Sequence, residues 1–198
     1  MKNKRKLIGV YDYTVVLTYL SLVSAVIGMT VALKKKFTIA VICLALSGVC
    51  DAFDGIVARS KKDRTEEEKA FGIQLDSLCD VIAFGFFPAF LCYLMGVNGL
   101  VGIMLVCLYC ICAVCRLAFF NVLEGKRQKE EEGCAKYYRG LPVTSISMIL
   151  PLVYAFRFVM PEEAFVMLLY ILLGVVAFLF VFDFRVPKPD WKKILTGR

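Results

Sequence analysis

The sequence predicts an all-α membrane protein of six transmembrane helices, and three observations predict it. Sixty per cent of the 198 residues are hydrophobic and the mean hydropathy is +0.72, against roughly 45–50% apolar residues in a soluble domain. One small aqueous core cannot hide that excess, so the surface itself must be apolar and face lipid. The apolar residues also gather into runs near the ~20 residues a helix needs to cross about 30 Å of hydrocarbon. Finally, charge is concentrated in short segments between those runs. The chain 1–198 reads as a single membrane-embedded domain.

The spans follow in order. The first runs from about Tyr13 to Leu33 without a charge. The second starts at Phe37, passes Cys50 and ends in the charged stretch Asp51–Arg59. Val81 to Cys115 is a charge-free run too long for one crossing, and Gly96-Val97-Asn98-Gly99 supplies a turn within it. Span three is therefore placed at Gly72–Met95 and span four at Gly99–Val122. Span five covers about Thr144–Phe158, starting a little earlier, and span six about Ala164–Phe182.

Basic residues orient these spans. With a cytoplasmic N-terminus, the start, the loops 59–71 and 122–143 and the tail hold nineteen of the 24 Lys and Arg residues. The opposite side holds Lys34, Lys35, Lys36 and Arg157, and Arg116 lies inside span four. Both termini are thus expected in the cytoplasm, with Lys34–Lys36 a local violation. The segment 1–12 is either a short interfacial amphipathic helix or a frayed basic tail, and it lacks the pattern of a cleaved signal. Part of the loop 122–143 is expected to extend helix four.

Composition removes several function classes. The chain has no histidine, which excludes Ser-His-Asp and Cys-His triads for want of a base. Its nine cysteines lie, except Cys134, in or beside apolar runs and read as packing residues rather than bridges. Cys112 and Cys115 have zinc-like spacing but no matching second pair. The net charge of +7 is spread between spans instead of forming one groove, which suits anionic lipid headgroups and not nucleic acid.

The informative residues are acids where acids are costly. Asp51 and Asp54 end span two, and Asp76 and Asp80 begin span three. Spacings of three and four put each pair on one helix face. Antiparallel neighbouring helices bring both pairs to one depth. An aspartate deep in a span costs about 2.5–3.5 kcal/mol, and four together repel unless cations lie between them. Carboxylates are hard ligands for Mg²⁺, Mn²⁺ or Ca²⁺, and two ions sharing such a cluster can clamp entering and leaving oxygens. The competing reading makes these residues interfacial caps facing water. Gly55, Ala58 and Gly72 leave room for a flat or phosphorylated group beside the backbone, and Arg59 stands at the mouth with a phosphate-matching fork.

Asp51-Ala52-Phe53-Asp54-Gly55-Ile56-Val57-Ala58-Arg59 and Gly72-Ile73-Gln74-Leu75-Asp76-Ser77-Leu78-Cys79-Asp80 together resemble the signature of the CDP-alcohol phosphatidyltransferases, D-x-x-D-G-x-x-A-R, a spacer, then G-x-x-x-D-x-x-x-D. All eight fixed positions match; the spacer is twelve residues where about eight are usual. The added charged part within Ser60–Lys69 reads as a loop or terminal-turn insertion. The resemblance implies a six-helix fold, a cytoplasm-facing cavity, a homodimer and CDP-diacylglycerol as donor. It implies that Asp51, Asp54, Asp76 and Asp80 bind metal, with Asp80 also a candidate general base. It further implies that Gly55 and Ala58 make room for cytidine, with Arg59 and Gly72 beside the diphosphate.

For the acceptor, Arg116-Leu117-Ala118-Phe119-Phe120-Asn121 is similar to the R-L-A-R-F-N segment of the phosphatidylserine synthase subgroup. Tyr138-Arg139-Gly140-Leu141-Pro142-Val143-Thr144-Ser145 is similar to its F-x-G-L-P-x-P-A segment. Phe119 replaces the second arginine and Thr144 a proline. L-Serine is the implied acceptor, with Arg116, Asn121 and Arg139 as candidate contacts; the competing reading makes Arg116 a structural partner of one of the aspartates. Phosphatidylglycerophosphate and phosphatidylinositol phosphate synthases share the signature, but a phosphorylated acceptor asks for more cations near Arg116 and Arg139. A divalent-cation transporter is the reading from another class, and it would need polar helix segments reaching the far side.

Overall fold

The computed structural model describes residue 9 and residues 13–60, 65–129 and 137–187. The segment 1–12 apart from Gly9, Cys134 and the tail beyond residue 187 lie outside the described residues, as do the side chains of Ala58, Arg59 and Arg139.

A 3-10 turn at Tyr13–Val15 leads into α1 (Val16–Leu33). The next helix, α2 (Phe37–Ser60), returns after only three residues. Lys35 makes that reversal in the left-handed region, at φ 57°. Lys36 N–H donates to Val31 O and Lys35 N–H to Ala32 O, the paired bonds that satisfy the last carbonyls of a helix. Lys34–Lys36 are exposed at this turn, so the hairpin places three charges outside its helix pair.

The two helices are held by small and hydroxylated residues. Thr18, Ser21, Ala25, Gly28 and Ala32 are the buried residues of α1, spaced three and four apart so that they form one stripe. In lipid such stripes let backbones approach and let hydroxyls bond across the helix pair. Ser21 and Ser47 hydroxyls meet at 2.7 Å, and Ser24 donates to Cys43 O at 2.8 Å.

The expected loop 59–71 is largely helix. α2 runs to Ser60, and α3 (Glu66–Asp80) starts six residues before the predicted Gly72. The reason is local. Thr65 Oγ1 accepts from Glu68 N–H, and Glu68 Oε2 accepts from Thr65 N–H, a reciprocal cap. Three glutamates in the first turn suit the positive end of the helix dipole. The charged insertion therefore extends the helix toward its N-terminus.

After Asp80 the helix widens into a π segment, Val81–Phe86, and continues as α4 (Phe87–Leu94). Pro88 lacks the N–H that Phe84 O would accept in an α-helix; the Tyr109 hydroxyl donates to that carbonyl instead, at 2.9 Å. Glu66–Leu94 is the most enclosed of the long spans. Phe84, Phe87 and Leu91 are fully buried there, packed in one core with Tyr109, Leu150, Leu169 and Phe180 from the surrounding helices.

α5 (Gly99–Lys129) passes well beyond the membrane-length stretch, as the extension of helix four required. Strand β1 (Tyr137–Arg139) is the next described element. A 3-10 turn at Val143–Ser145, α6 (Ile146–Ala155) and a second 3-10 turn at Phe156–Phe158 make the fifth span. It is shorter than the others and contains Pro151. Arg157 at its end lies over the rings of Phe37, Tyr154 and Phe165, 5.3–5.9 Å from their centroids, within cation–π range. α7 (Glu162–Val181) packs along α5, and β2 (Arg185–Pro187) then pairs antiparallel with β1. Sequence reading had no sign of these two three-residue strands. The architecture is all-α and polytopic, with five helices of spanning length and a shorter sixth among the described residues.

Candidate functional site

The second half of α2 and the last turns of α3 meet at their acids. One oxygen each from Asp51, Asp76 and Asp80 lies within 4.8 Å of the others. Asp80 is buried, at 7% exposure, whereas Asp51 and Asp76 are half-buried. Asp76 Oδ1 is buried and has no hydrogen-bond partner. A carboxylate oxygen withdrawn from water without a donor costs about 1–3 kcal/mol or more. Three hard carboxylate oxygens this close, on residues that include a buried oxygen without a donor, fit a divalent ion such as Mg²⁺ or Mn²⁺.

Asp54 stands beside this trio rather than within it. It is buried and lies within hydrogen-bonding reach of Asp76, as Asp51 does of Asp80. Its Oδ2 accepts from the Thr18 hydroxyl of α1 at 3.2 Å, and the Gly55 N–H also reaches its carboxylate. Thr18 is a site neighbour that sequence reading did not identify. Its only signal was a hydroxyl on the small-residue stripe of the first span.

Among the other expected residues, Gly55 and Gly72 sit half-buried on α2 and α3. Ala58 and Arg59 belong to the last turns of α2. Asn121 on α5 accepts from Ser77 at 2.7 Å, tying α5 to α3 one residue beyond Asp76. Arg139 lies in β1, opposite Arg185 in β2.

Arg116 is buried, at 9% exposure. Its Nε donates to Leu141 O at 3.0 Å and its Nη2 to Gly140 O at 3.4 Å. Gly140 makes this approach possible. It adopts φ +71°, and a β-carbon there would lie 3.1 Å from Phe182 O and 3.4 Å from Arg116 Cζ. The structural partner expected for Arg116 is thus backbone carbonyl, with Asp183 as its neighbouring acid. Arg116 and Asp183 line a cavity of about 310 Å³ with Cys115, Phe119, Phe180, Val181 and Phe182.

Known proteins resemble the chain along most of its length. Residues 14–182 match the family described as CDP-alcohol phosphatidyltransferase. A CDP-diacylglycerol–serine O-phosphatidyltransferase of Saccharomyces cerevisiae is 32% identical over 115 residues, 57% of this chain and 40% of that protein. One of the same name from Methanocaldococcus jannaschii is 34% identical over 93 residues, 47% of this chain and 39% of its own length. An archaetidylserine synthase of Methanothermobacter thermautotrophicus is 29% identical over 144 residues, 72% of this chain and 58% of that protein. The alignments therefore span less than two thirds of each relative. With a family match running from the first span to the end of the last helix, the chain belongs to the CDP-alcohol phosphatidyltransferase family.

Proposed function

We propose that the protein transfers the phosphatidyl group of CDP-diacylglycerol to L-serine, giving phosphatidylserine and CMP. The observation that carries this reading is the carboxylate cluster of Asp51, Asp76 and Asp80 with its donorless Asp76 oxygen, on the two helices that bear the family signature. The names of three relatives, each a serine or archaetidylserine enzyme, support serine as the acceptor.

Asp51, Asp54, Asp76 and Asp80 would hold two divalent ions, Mg²⁺ or Mn²⁺. When bound, such ions neutralise a diphosphate and the oxygen leaving it. Gly55, Ala58 and Gly72 leave the backbone open to the cytidine diphosphate, and Arg59 binds phosphate at the mouth. Arg116, Asn121 and Arg139 would serve the acceptor, Asn121 being fixed by Ser77. Asp80 accepts the serine hydroxyl proton as that oxygen bonds to the lipid-linked phosphorus and the bond from phosphorus to CMP breaks. Burial of Asp80 keeps competing water from the proton acceptor. The reading places both termini and the site in the cytoplasm and pairs the chain as a homodimer.

The test is an acceptor panel. Purified protein receives CDP-diacylglycerol with L-serine, glycerol 3-phosphate or inositol phosphate, and products are identified by mass. Phosphatidylserine and CMP in equal amounts are expected with serine. A lipid product from a phosphorylated acceptor, with none from serine, would refute the assignment.

A further inference from the structure

The cavity between α5 and the end of α7 has a charge pattern that the transfer chemistry does not need. Arg116 contributes one cation, anchored through Nε and Nη2 to Leu141 O and Gly140 O. Two carbonyls position it, and Asp183 is the acid that acts on its charge. Asp183 contributes an anion to the same cavity, and aromatic walls from Phe119, Phe180 and Phe182 complete it. Arg116 is buried, whereas Asp183 is exposed.

The position of Asp183 is fixed from both sides. Phe182 N–H closes the last turn of α7 on Phe178 O at 2.9 Å, and Phe184 O accepts from Gly140 N–H at 2.6 Å. One residue later Arg185 pairs with Arg139 across the strands. Gly140 thus holds Arg116 on one side and the Asp183 segment on the other.

We infer that Asp183 is a specificity-determining residue that reads the ammonium group of an amino-acid acceptor, whose carboxylate faces Arg116 across the same cavity. The inference rests on serine being the acceptor. About 310 Å³ is at the small end of ligand cavities, roughly 300–1,000 Å³, and suits a three-carbon amino acid. Opposite charges on the cavity wall match a zwitterion. Phe119, standing where the related segment has a second arginine, leaves a single cation, enough for a carboxylate. Asp183 also repels a phosphorylated acceptor, so it selects by exclusion as well as attraction. The cavity and the Ser77–Asn121 bond share α5. Asn121, bonded to Ser77, lies about 7.5 Å along the helix from Arg116 at 1.5 Å per residue.

The experiment compares L-serine with glycerate, which keeps the hydroxyl and carboxylate but lacks the amine. It reads kcat/KM for each with CDP-diacylglycerol in wild type, D183N and D183E. A charged hydrogen bond is worth about 10- to 100-fold, so the wild type is expected to prefer serine by that factor. D183N should bring the preference below about threefold, chiefly through a higher KM for serine. D183E, which keeps the charge for the fold but displaces it by one methylene, should lose part of the preference. Comparable use of glycerate by the wild type overturns the inference without any variant. So does an undiminished preference in D183N or, where D183N does not fold, in D183E. If the wild type uses neither compound and accepts a phosphorylated alcohol, the serine assignment itself has failed, and this inference with it.

Discussion

Thr18→Val removes one hydroxyl from α1 and almost nothing else. The side chain keeps its branched shape, so the buried stripe that packs α1 on α2 is preserved. What is lost is the 3.2 Å bond to Asp54 Oδ2, made by a residue only 6% exposed. A hydrogen bond to a charged group contributes about 1.5–3 kcal/mol. At 3.2 Å it is longer than the usual 2.5–3.0 Å for a hydroxyl donor, which points to the lower end, about 1.5 kcal/mol. If that hydroxyl holds Asp54 toward Asp76 in its charged form, the same energy appears in cation affinity as roughly a tenfold weaker Kd, since 1.4 kcal/mol is a factor of ten. The assay is Mn²⁺ titration of chelator-stripped protein in detergent, with free Mn²⁺ followed by electron paramagnetic resonance. Thr18→Ser should restore the affinity. Ser21→Ala, which cuts the neighbouring contact to Ser47, should loosen the helix pair and leave Mn²⁺ binding alone. An unchanged Mn²⁺ Kd in well-folded Thr18→Val would refute the positioning role.

Two further outcomes are expected. Asp76→Asn removes a like charge from a crowded cluster and replaces a donorless oxygen, so the metal-free protein should melt at a higher temperature than wild type. A ligand at a hundred times its Kd stabilises by about 2.7 kcal/mol, and Asp76→Asn should forfeit most of that gain. Thermal unfolding with and without Mn²⁺ checks both signs, and equal metal-induced shifts would remove Asp76 from the ion site. Gly28→Ala puts a β-carbon against the Phe87 ring and 2.9 Å from Cys43 Cβ, an overpacking that typically costs 1–3 kcal/mol. Its melting temperature should fall, while Gly174→Ala, whose nearest contact is Leu105 Cδ1 at 3.9 Å, should melt like wild type.

How much of this was legible follows from what lipid does to a sequence. In water, apolar residues mark the inside; in a membrane they face both core and solvent, so hydropathy locates a span and says little about its rotation. Leu44 is fully buried and Leu46, two residues on, is 53% exposed, with nothing in either residue to tell them apart. The polar residues carry the orientation instead. Asp51, Asp76 and Asp80 were placed together because helical spacing and span ends sufficed. Thr18 was not placed, because its partner depends on the register of α1 against α2, which the whole stripe from Thr18 to Ala32 sets. Pro88 passed unremarked inside span three, and the Tyr109 hydroxyl that fills the freed Phe84 carbonyl comes from another span. Strands of three residues are too short for an alternation to show, so β1 and β2 left no trace.

Arg116 shows where such reading ends and what lies past it. A cation inside a span must find a partner, and side chains are the partners a sequence displays; carbonyls are not. The structure supplies Gly140 O and Leu141 O, and the sole clue was a glycine able to bring that backbone close. The choice has a chemical consequence. Had Arg116 closed a buried ion pair with one of the four cluster aspartates, both charges would have been spent on each other and the cluster would have lost a cation ligand. Held by neutral carbonyls, the guanidinium stays positioned while keeping its charge. The carboxylates of α2 and α3 are likewise not taken up by Arg116, so cation binding and recognition of an anionic acceptor group can be built on neighbouring helices without cancelling each other.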